Sequence, residues 1–517
     1  MKLNYKKTIL VGFAFFLIMA FWQAYDATIP VILTNKFGMS QGWSGLIMAL
    51  DNILALFMLP LFGALSDKCK AKSGKRTPFI VVGTIIAAIA LLGLAFVDGQ
   101  QKENIADIAD MRLDKTGIYQ MQKDTALQTP EGEAFVLSKL YTQEEFNAIE
   151  SEVVDAESGK TVTNPEYTNY VVPARQACAA QITAENPIPL IWFVGLLLII
   201  LVAMAIFRSP AVALMPDVTI KPLRSKANAV INLMGTAGGI LVLVLGILFK
   251  TSAVNNQLMR YYGYYGVVAG IMLIALFVFV TSVWEPLWAK QMREESVRLG
   301  LEEEEEEVGE SRKLTKGEFT SLILILVSVA LWYFGYNAVT SKYAVYAGNI
   351  LNMDYNTTLL LAQGAAIVAY LPAGILASRI GRKKTILGGV VMLTAAFGAA
   401  SFMRAGSSAL VMNILFALAG IGWATINVNS FPMVVEMCSG GNIGKYTGYY
   451  YTASMAAQIA TPVLSGVLMD MDGVGMTVLF PYAAVFAGLA FVTMLFVKHG
   501  DAKPEAKKGL ESLDIDD

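Results

Sequence analysis

The chain has 517 residues, 55% hydrophobic and 15% charged, with a mean hydropathy of +0.54 and a formal net charge of −2. A soluble chain of this length would carry about 25% charged residues, so an ordinary soluble fold is excluded. No basic domain exists to bind nucleic acid. Cys69, Cys178, Cys438 and the single His499 show no metal-ligand spacing, and no nucleophile–base constellation or phosphate loop points to an enzyme.

Apolar runs of about 20 residues, enough to cross a ~30 Å hydrocarbon core as helix, recur along the whole chain. They predict spans near 8–33, 42–65, 78–97, 188–214, 227–249, 262–284, 319–340, 357–378, 385–403, 409–431, 447–469 and 476–497. The first run is read as an uncleaved helix rather than a signal peptide. Between the second and third spans lies a short basic turn, Gly63–Asp67 followed by Lys75, Arg76 and Pro78. Its diverged copy, Gly374 to Lys384, lies between the eighth and ninth spans. Residues 98–187 form a long, mostly acidic insertion, expected to be a small external cap with Tyr141–Glu150 helical. Residues 285–317, with the run Glu302–Glu307, read as a solvated linker.

Lys and Arg fill every second connection, from Lys2–Lys7 through Lys68–Arg76 and Arg379–Lys384 to the tail. The opposite short connections hold only Lys36, Lys250, Arg260, Lys342 and Arg404. The bias predicts both termini in the cytoplasm and a multi-pass protein of the cell membrane. A second pair of segments, Ser209-Pro210 to Asp217 and Phe431-Pro432 to Glu436, repeats across the halves. The two offsets, 63 to 374 and 217 to 436, differ by about the length of the insertion. One six-helix unit occurring twice explains both. The expected organisation is therefore an all-α membrane protein with bundles at 1–284 and 318–497, linker 285–317 and tail 498–517.

Six plus six helices with this turn resemble the major facilitator superfamily. Pro60-Leu61-Phe62-Gly63, Ser66-Asp67-Lys68-Cys69 and Gly74 to Ile80 are similar to the glycoside–pentoside–hexuronide cation symporters, closest to their sucrose-transporter-like branch. Pro210 to Asp217 with Ala227-Asn228-Ala229 resembles that branch too. The resemblance implies sugar uptake driven by H⁺ or Na⁺. It also implies that Asp67, with Arg76 fixing its orientation, docks near Gly448 and closes the cytoplasmic face; Gly63, Lys75, Asp217 and Glu436 are the other expected gating residues. The acidic Na⁺-site pair of melibiose-type members falls on Ala55 and Leu59 here, so H⁺ is the expected coupling ion and no cofactor is expected.

Ionisable residues inside spans mark functional sites by default. Asp26 and Asp51 are placed at comparable depth on neighbouring helices, where two close carboxylates do not both ionise easily. That suits proton coupling; the structural alternative is hydrogen bonding to Gln23 or Asn52. Arg208 suits bidentate contact with hydroxyls or a carboxylate, against a plain salt bridge. Amides and aromatics within the spans provide sugar contacts, and the chosen set is Gln23, Tyr25, Asn232, Trp332, Tyr336, Asn337, Asn427 and Gln458. Trp43 and Trp192 read as interfacial anchors. The expectation is a monomeric carrier that imports a sugar, a disaccharide or other glycoside, with H⁺ by alternating access. The rivals are an exporter or drug/H⁺ antiporter of the same fold and a non-transporting membrane sensor.

Overall fold

A computed structural model describes residues 3–106, 115–154, 161–220, 223–299, 314–435, 437 and 443–500. Twelve long helices carry the architecture. They are α1 Tyr5–Asn35, α2 Gln41–Asp67, α3 Thr77–Asn104, α4 Ile188–Val218, α5 Arg224–Leu248 and α6 Tyr262–Ser282. The second set is α7 Lys316–Tyr346, α8 Tyr355–Ile380, α9 Arg382–Ala400, α10 Ala409–Val435, α11 Ile443–Met469 and α12 Leu479–Leu495. Over their described residues, 11 are long and apolar enough to cross a membrane; α8 has 26 residues. Helix starts are fixed by side-chain caps. Asn4 accepts from the Lys7 amide. Thr315 and Glu318 form a reciprocal box at α7, and Asp354 accepts from the Asn356 and Thr357 amides at α8.

The two halves pack alike. α1 lies on α5 and α6, α2 and α3 on α4, and α3 on α6. In the same way α7 lies on α11 and α12, α8 and α9 on α10, and α9 on α12. The repeat read from the basic turn is thus a repeat of packing. Each half buries its own apolar cluster. Between halves the packed pairs are α2 with α11, α5 with α8 and α1 with α7.

Those contacts gather at the face bearing the insertion. Gly45 of α2 lies so close to α11 that a Cβ would collide with the Pro462 carbonyl oxygen, and Gly466 meets Gln41 equally closely. At the opposite face, which carries the termini, the halves part. Asn232 on α5 and Thr452 on α11 stand exposed there. Polar exposure to lipid at such depth would be costly, so these groups face an opening between the halves.

The insertion is a small α/β unit. It contains helices Thr116–Gln122, Leu137–Leu140, Gln143–Ala148 and Val172–Glu185. Two short hairpins, Leu127–Gln128 with Ala134–Phe135 and Glu152–Val154 with Thr161–Thr163, complete it. Ile118, Phe135, Leu137, Phe146, Val171 and Cys178 form its core together with Val254 and Leu258 of the α5–α6 connection. Burial pushes the Cys178 thiol up to about 11.

Three charges placed outside the spans by sequence lie buried in the helical body. α3 runs on to Asn104, so Asp98 belongs to the helix and not to the insertion. It pairs with Lys36 at 2.5 Å, both side chains being fully buried. Lys342 lies within α7, fully buried, rather than in a loop beyond residue 340. Trp43 and Trp192 are exposed, at 63% and 62%.

Candidate functional site

Gln23, Asp26, Thr236, Tyr336, Gln363 and Trp423 line a cavity of about 290 Å³ between the halves. α1 and α5 supply one wall; α7, α8 and α10 supply the other. Asp26 projects into this space, and no hydrogen bond to it is present among the described residues. Gln23 instead accepts from the Gln363 amide at 2.5 Å, a bond that crosses from one half to the other. Tyr336 stacks on Trp423 with ring centroids 3.7 Å apart and planes within 4°. The pair makes a flat apolar platform of the kind a sugar ring's C–H face packs on.

Asp51 lies within electrostatic range of both Asp26 and Arg208. Its carboxylate accepts from Asn52 at 2.7 Å. The Arg208 guanidinium sits 5.8 Å from the centre of the Trp22 ring and within electrostatic range of Tyr451 on α11. Asp51 thus couples Asp26, which lines the cavity, to Arg208, all three on helices of the first half. Among the described residues, Trp22 Nε1 and the Tyr25 hydroxyl beside these groups, and Asn337 Nδ2 on α7, are buried with no hydrogen-bond partner. Buried donors in native folds are nearly always paired, and these three are free to meet a polar guest.

The other expected contacts fall differently. Asn427 bonds the Tyr370 hydroxyl, and Tyr370 lines the cavity. Gln458 is half-buried on α11. Asn232 bonds Asn228 at 3.2 Å and faces the opening below the cavity. Trp332 is only 1% exposed within the core of the second half, so it holds the bundle and does not line the cavity. Gln363, Tyr370 and Trp423 take part instead. Gln363 and Trp423 belong to the general pool of span amides and aromatics, whereas nothing in the sequence marks Tyr370.

Of the residues expected to gate, Gly63, Asp67, Arg76 and Asp217 lie together at the terminal face. Arg76 donates from Nε to Asp217 at 2.8 Å and from Nη2 to Asp67 at 2.5 Å, and its Nη1 bonds the Ser66 hydroxyl. Gly63 lets α2 approach α4, since a Cβ there would lie 2.9 Å from Ser209 Oγ. Lys75 contributes its backbone amide rather than its ammonium. Glu285, a residue the sequence places in a linker, takes the amides of Lys75, Arg76 and Thr77 at 2.6, 2.9 and 2.8 Å. It caps the start of α3. Asp67 stays 60% exposed, and among the described residues it makes no hydrogen bond or ion pair to the second half; Gly448 has open space around its Cβ position. Glu436 lies outside the described residues.

At the insertion face the two halves do meet through a carboxylate. Asp470, at the end of α11, accepts the backbone amides of Gln41 and Gly42 at 2.8 and 2.6 Å. Lys342 donates to the Gln41 carbonyl at 2.5 Å. Two residues of the second half thus hold the first turn of α2. Thr251 and Tyr355 hydroxyls, 2.8 Å apart, and Ser252 with Asp354, at 2.6 Å, join α5 and α8 on the same face.

Residues 10–101 match the family described as MFS/sugar transport protein, and residues 357–514 match the Major Facilitator Superfamily. An MFS-type transporter, ppzB, of Metarhizium majus (strain ARSEF 297) is 30% identical over 124 residues, 24% of this chain and 25% of that protein. Sucrose transport protein SUC4 of Arabidopsis thaliana is 33% identical over 90 residues, 16% of this chain and 18% of that protein. The chain spans about a quarter or less of the length of these curated relatives. Among solved structures, the inward open xylose transporter XylE from E. coli superposes with a TM-score of 0.58 at 14% identity, covering 99% of both chains. A D-xylose-proton symporter gives 0.59 at 13% identity over 96% of this chain and 99% of that one. These likenesses show the fold. With matches in both halves and a six-helix packing that occurs twice, the chain has the fold of the major facilitator superfamily.

Proposed function

We propose that this protein is a proton-coupled sugar symporter that imports a disaccharide or other glycoside by alternating access. One observation carries the reading: Asp26 faces the cavity between the halves, beside a cross-half amide pair and a stacked aromatic platform. The platform suits ring C–H faces, and the amides with the free Trp22, Tyr25 and Asn337 donors suit hydroxyls. Asp51 lies in the field of both Asp26 and Arg208, so a proton gained by one carboxylate changes how firmly Asp51 and Arg208 hold each other. The short match to a sucrose transporter supports the substrate class. The basic connections support a placement in the cell membrane with both termini cytoplasmic. In that orientation the parted face opens to the cytoplasm and the state is inward-open.

The direct test is counterflow in proteoliposomes, with sucrose, other disaccharides, glycosides and monosaccharides as a panel. The reading expects exchange of at least one disaccharide or glycoside. Exchange of none of them, with the protein correctly inserted, refutes it.

A further inference from the structure

The insertion is anchored to the first half. Gln176 and Arg175 donate to Asn35 at 2.9 and 3.2 Å, Gln101 donates to Thr183 at 3.1 Å, and Ser151 donates to Asn255 at 2.6 Å. Its core also takes in Val254 and Leu258. Yet the hairpin Leu127–Phe135 reaches over to the second half and lands on the α11–α12 connection. Met476 donates its amide to the Pro130 carbonyl at 2.7 Å, and Gly473 donates to the Gly132 carbonyl at 3.1 Å. Gln128 bonds Asp472, and Arg404 meets Glu131 at 3.5 Å.

The fit is close. Gly132 has φ +90°, and a Cβ there would lie 2.7 Å from the Gly475 amide nitrogen. Gly475 has φ +65°, and a Cβ there would collide with the Glu131 backbone. Both positions need glycine for the backbone angle and for the approach. The touching segments are backbone to backbone, so the contact is specific in shape and not a brush of side chains.

We infer that this hairpin is a clasp, a part of the transport cycle added by the insertion. It fastens the second half to the first across the outer entrance, and it must release for that entrance to open. The inference rests on the alternating-access reading above. A rigid bridge between two bodies that rock against each other cannot hold in both states. The docked hairpin therefore favours the state seen here, open at the terminal face.

The test uses the full chain in lipid nanodiscs, with spin labels on Ala184→Cys and Ser408→Cys, both exposed at the insertion face on opposite halves. Cys69 and Cys438 are replaced by Ser, and the buried Cys178 is kept. Gly132→Val and Gly475→Val undock the clasp from opposite sides. Each is expected to raise the long-distance population, on the order of tenfold for the loss of two backbone hydrogen bonds. An oxidised Gln128→Cys/Asp472→Cys pair is expected to hold the short distance alone. Two glycine variants that are folded and keep the parent distance distribution overturn the clasp. A shift in one variant only, with the other folded and unshifted, also overturns it, because loss of docking would then not be the cause. These distances need no substrate. A shift without sugar exchange upholds the clasp and refutes the sugar reading, and exchange without a shift does the reverse.

Discussion

Asp470→Asn changes no volume and removes one charge, so it isolates what the carboxylate does at the insertion face. Each oxygen of Asp470 accepts one backbone amide of the first turn of α2, at 2.8 and 2.6 Å. The amide side chain keeps one acceptor and turns an NH₂ group towards the other N–H. A hydrogen bond to a charged group is worth ~1.5–3 kcal/mol, and a carboxylate at a helix N-terminus adds ~0.3–1 kcal/mol. Asp470 is solvent-exposed, which screens both contributions and brings the loss below the low end of their sum, to about 1.4 kcal/mol. That is about a tenfold shift towards the state in which α2 and α11 part at this face. Ser44, fully buried on α2, gives the assay. A Ser44→Cys thiol, in a background without Cys69 and Cys438, reacts with an impermeant maleimide only when that contact opens. Its labelling rate in Asp470→Asn is expected to rise about tenfold. A rate equal to that of the parent refutes the claim that Asp470 holds the outer contact closed.

Other variants probe other parts of the account. Arg208→Lys keeps a charge near Asp51 but loses the planar group over Trp22, worth ~0.5–2 kcal/mol, so the half-saturation constant for sugar should rise; Arg208→Ala should abolish exchange. Unchanged kinetics in both would make Arg208 structural. Asp67→Asn removes one partner of Arg76 and the charge proposed to dock near Gly448. Uptake should fall while expression and insertion stay normal; a variant with parental uptake limits the turn to setting topology. Glu285→Gln weakens an acceptor of three backbone amides at a site only 3% exposed. It should lower the thermal unfolding midpoint, for a loss of ~1.5–3 kcal/mol, without changing which sugar is bound.

The helices were legible because each is a long apolar run, and the repeat because a basic glycine turn survives in both copies. The packing shows the same repeat through contacts that no short motif encodes. Charges near span ends were misplaced for a simple reason. A hydropathy reading assigns a lysine such as Lys342 to the loop, yet its long stem and a backbone carbonyl to receive it let it lie inside. Lys36 and Asp98 are buried because they meet each other, and their separation along the chain hides that. Glu285 was hidden in the same way, since it reads as the start of an acidic linker until α3 is seen starting on it. Within the cavity, Asp26, Asp51 and Arg208 stood out by cost alone, as charges in apolar spans. Choosing among aromatics needs the helix face, and that is where Trp332 was taken in place of Trp423.

The central claim is that a proton entering at the Asp26–Asp51 pair drives sugar accumulation. The measurement is uptake of the best counterflow substrate into proteoliposomes, under an imposed pH gradient and, separately, an imposed Na⁺ gradient. The parent protein should concentrate sugar with the pH gradient and lose accumulation on addition of a protonophore. Asp26→Asn should abolish accumulation while counterflow of the same sugar persists. Accumulation that follows Na⁺ and ignores pH, or an Asp26→Asn/Asp51→Asn double variant that concentrates sugar normally, would contradict the account.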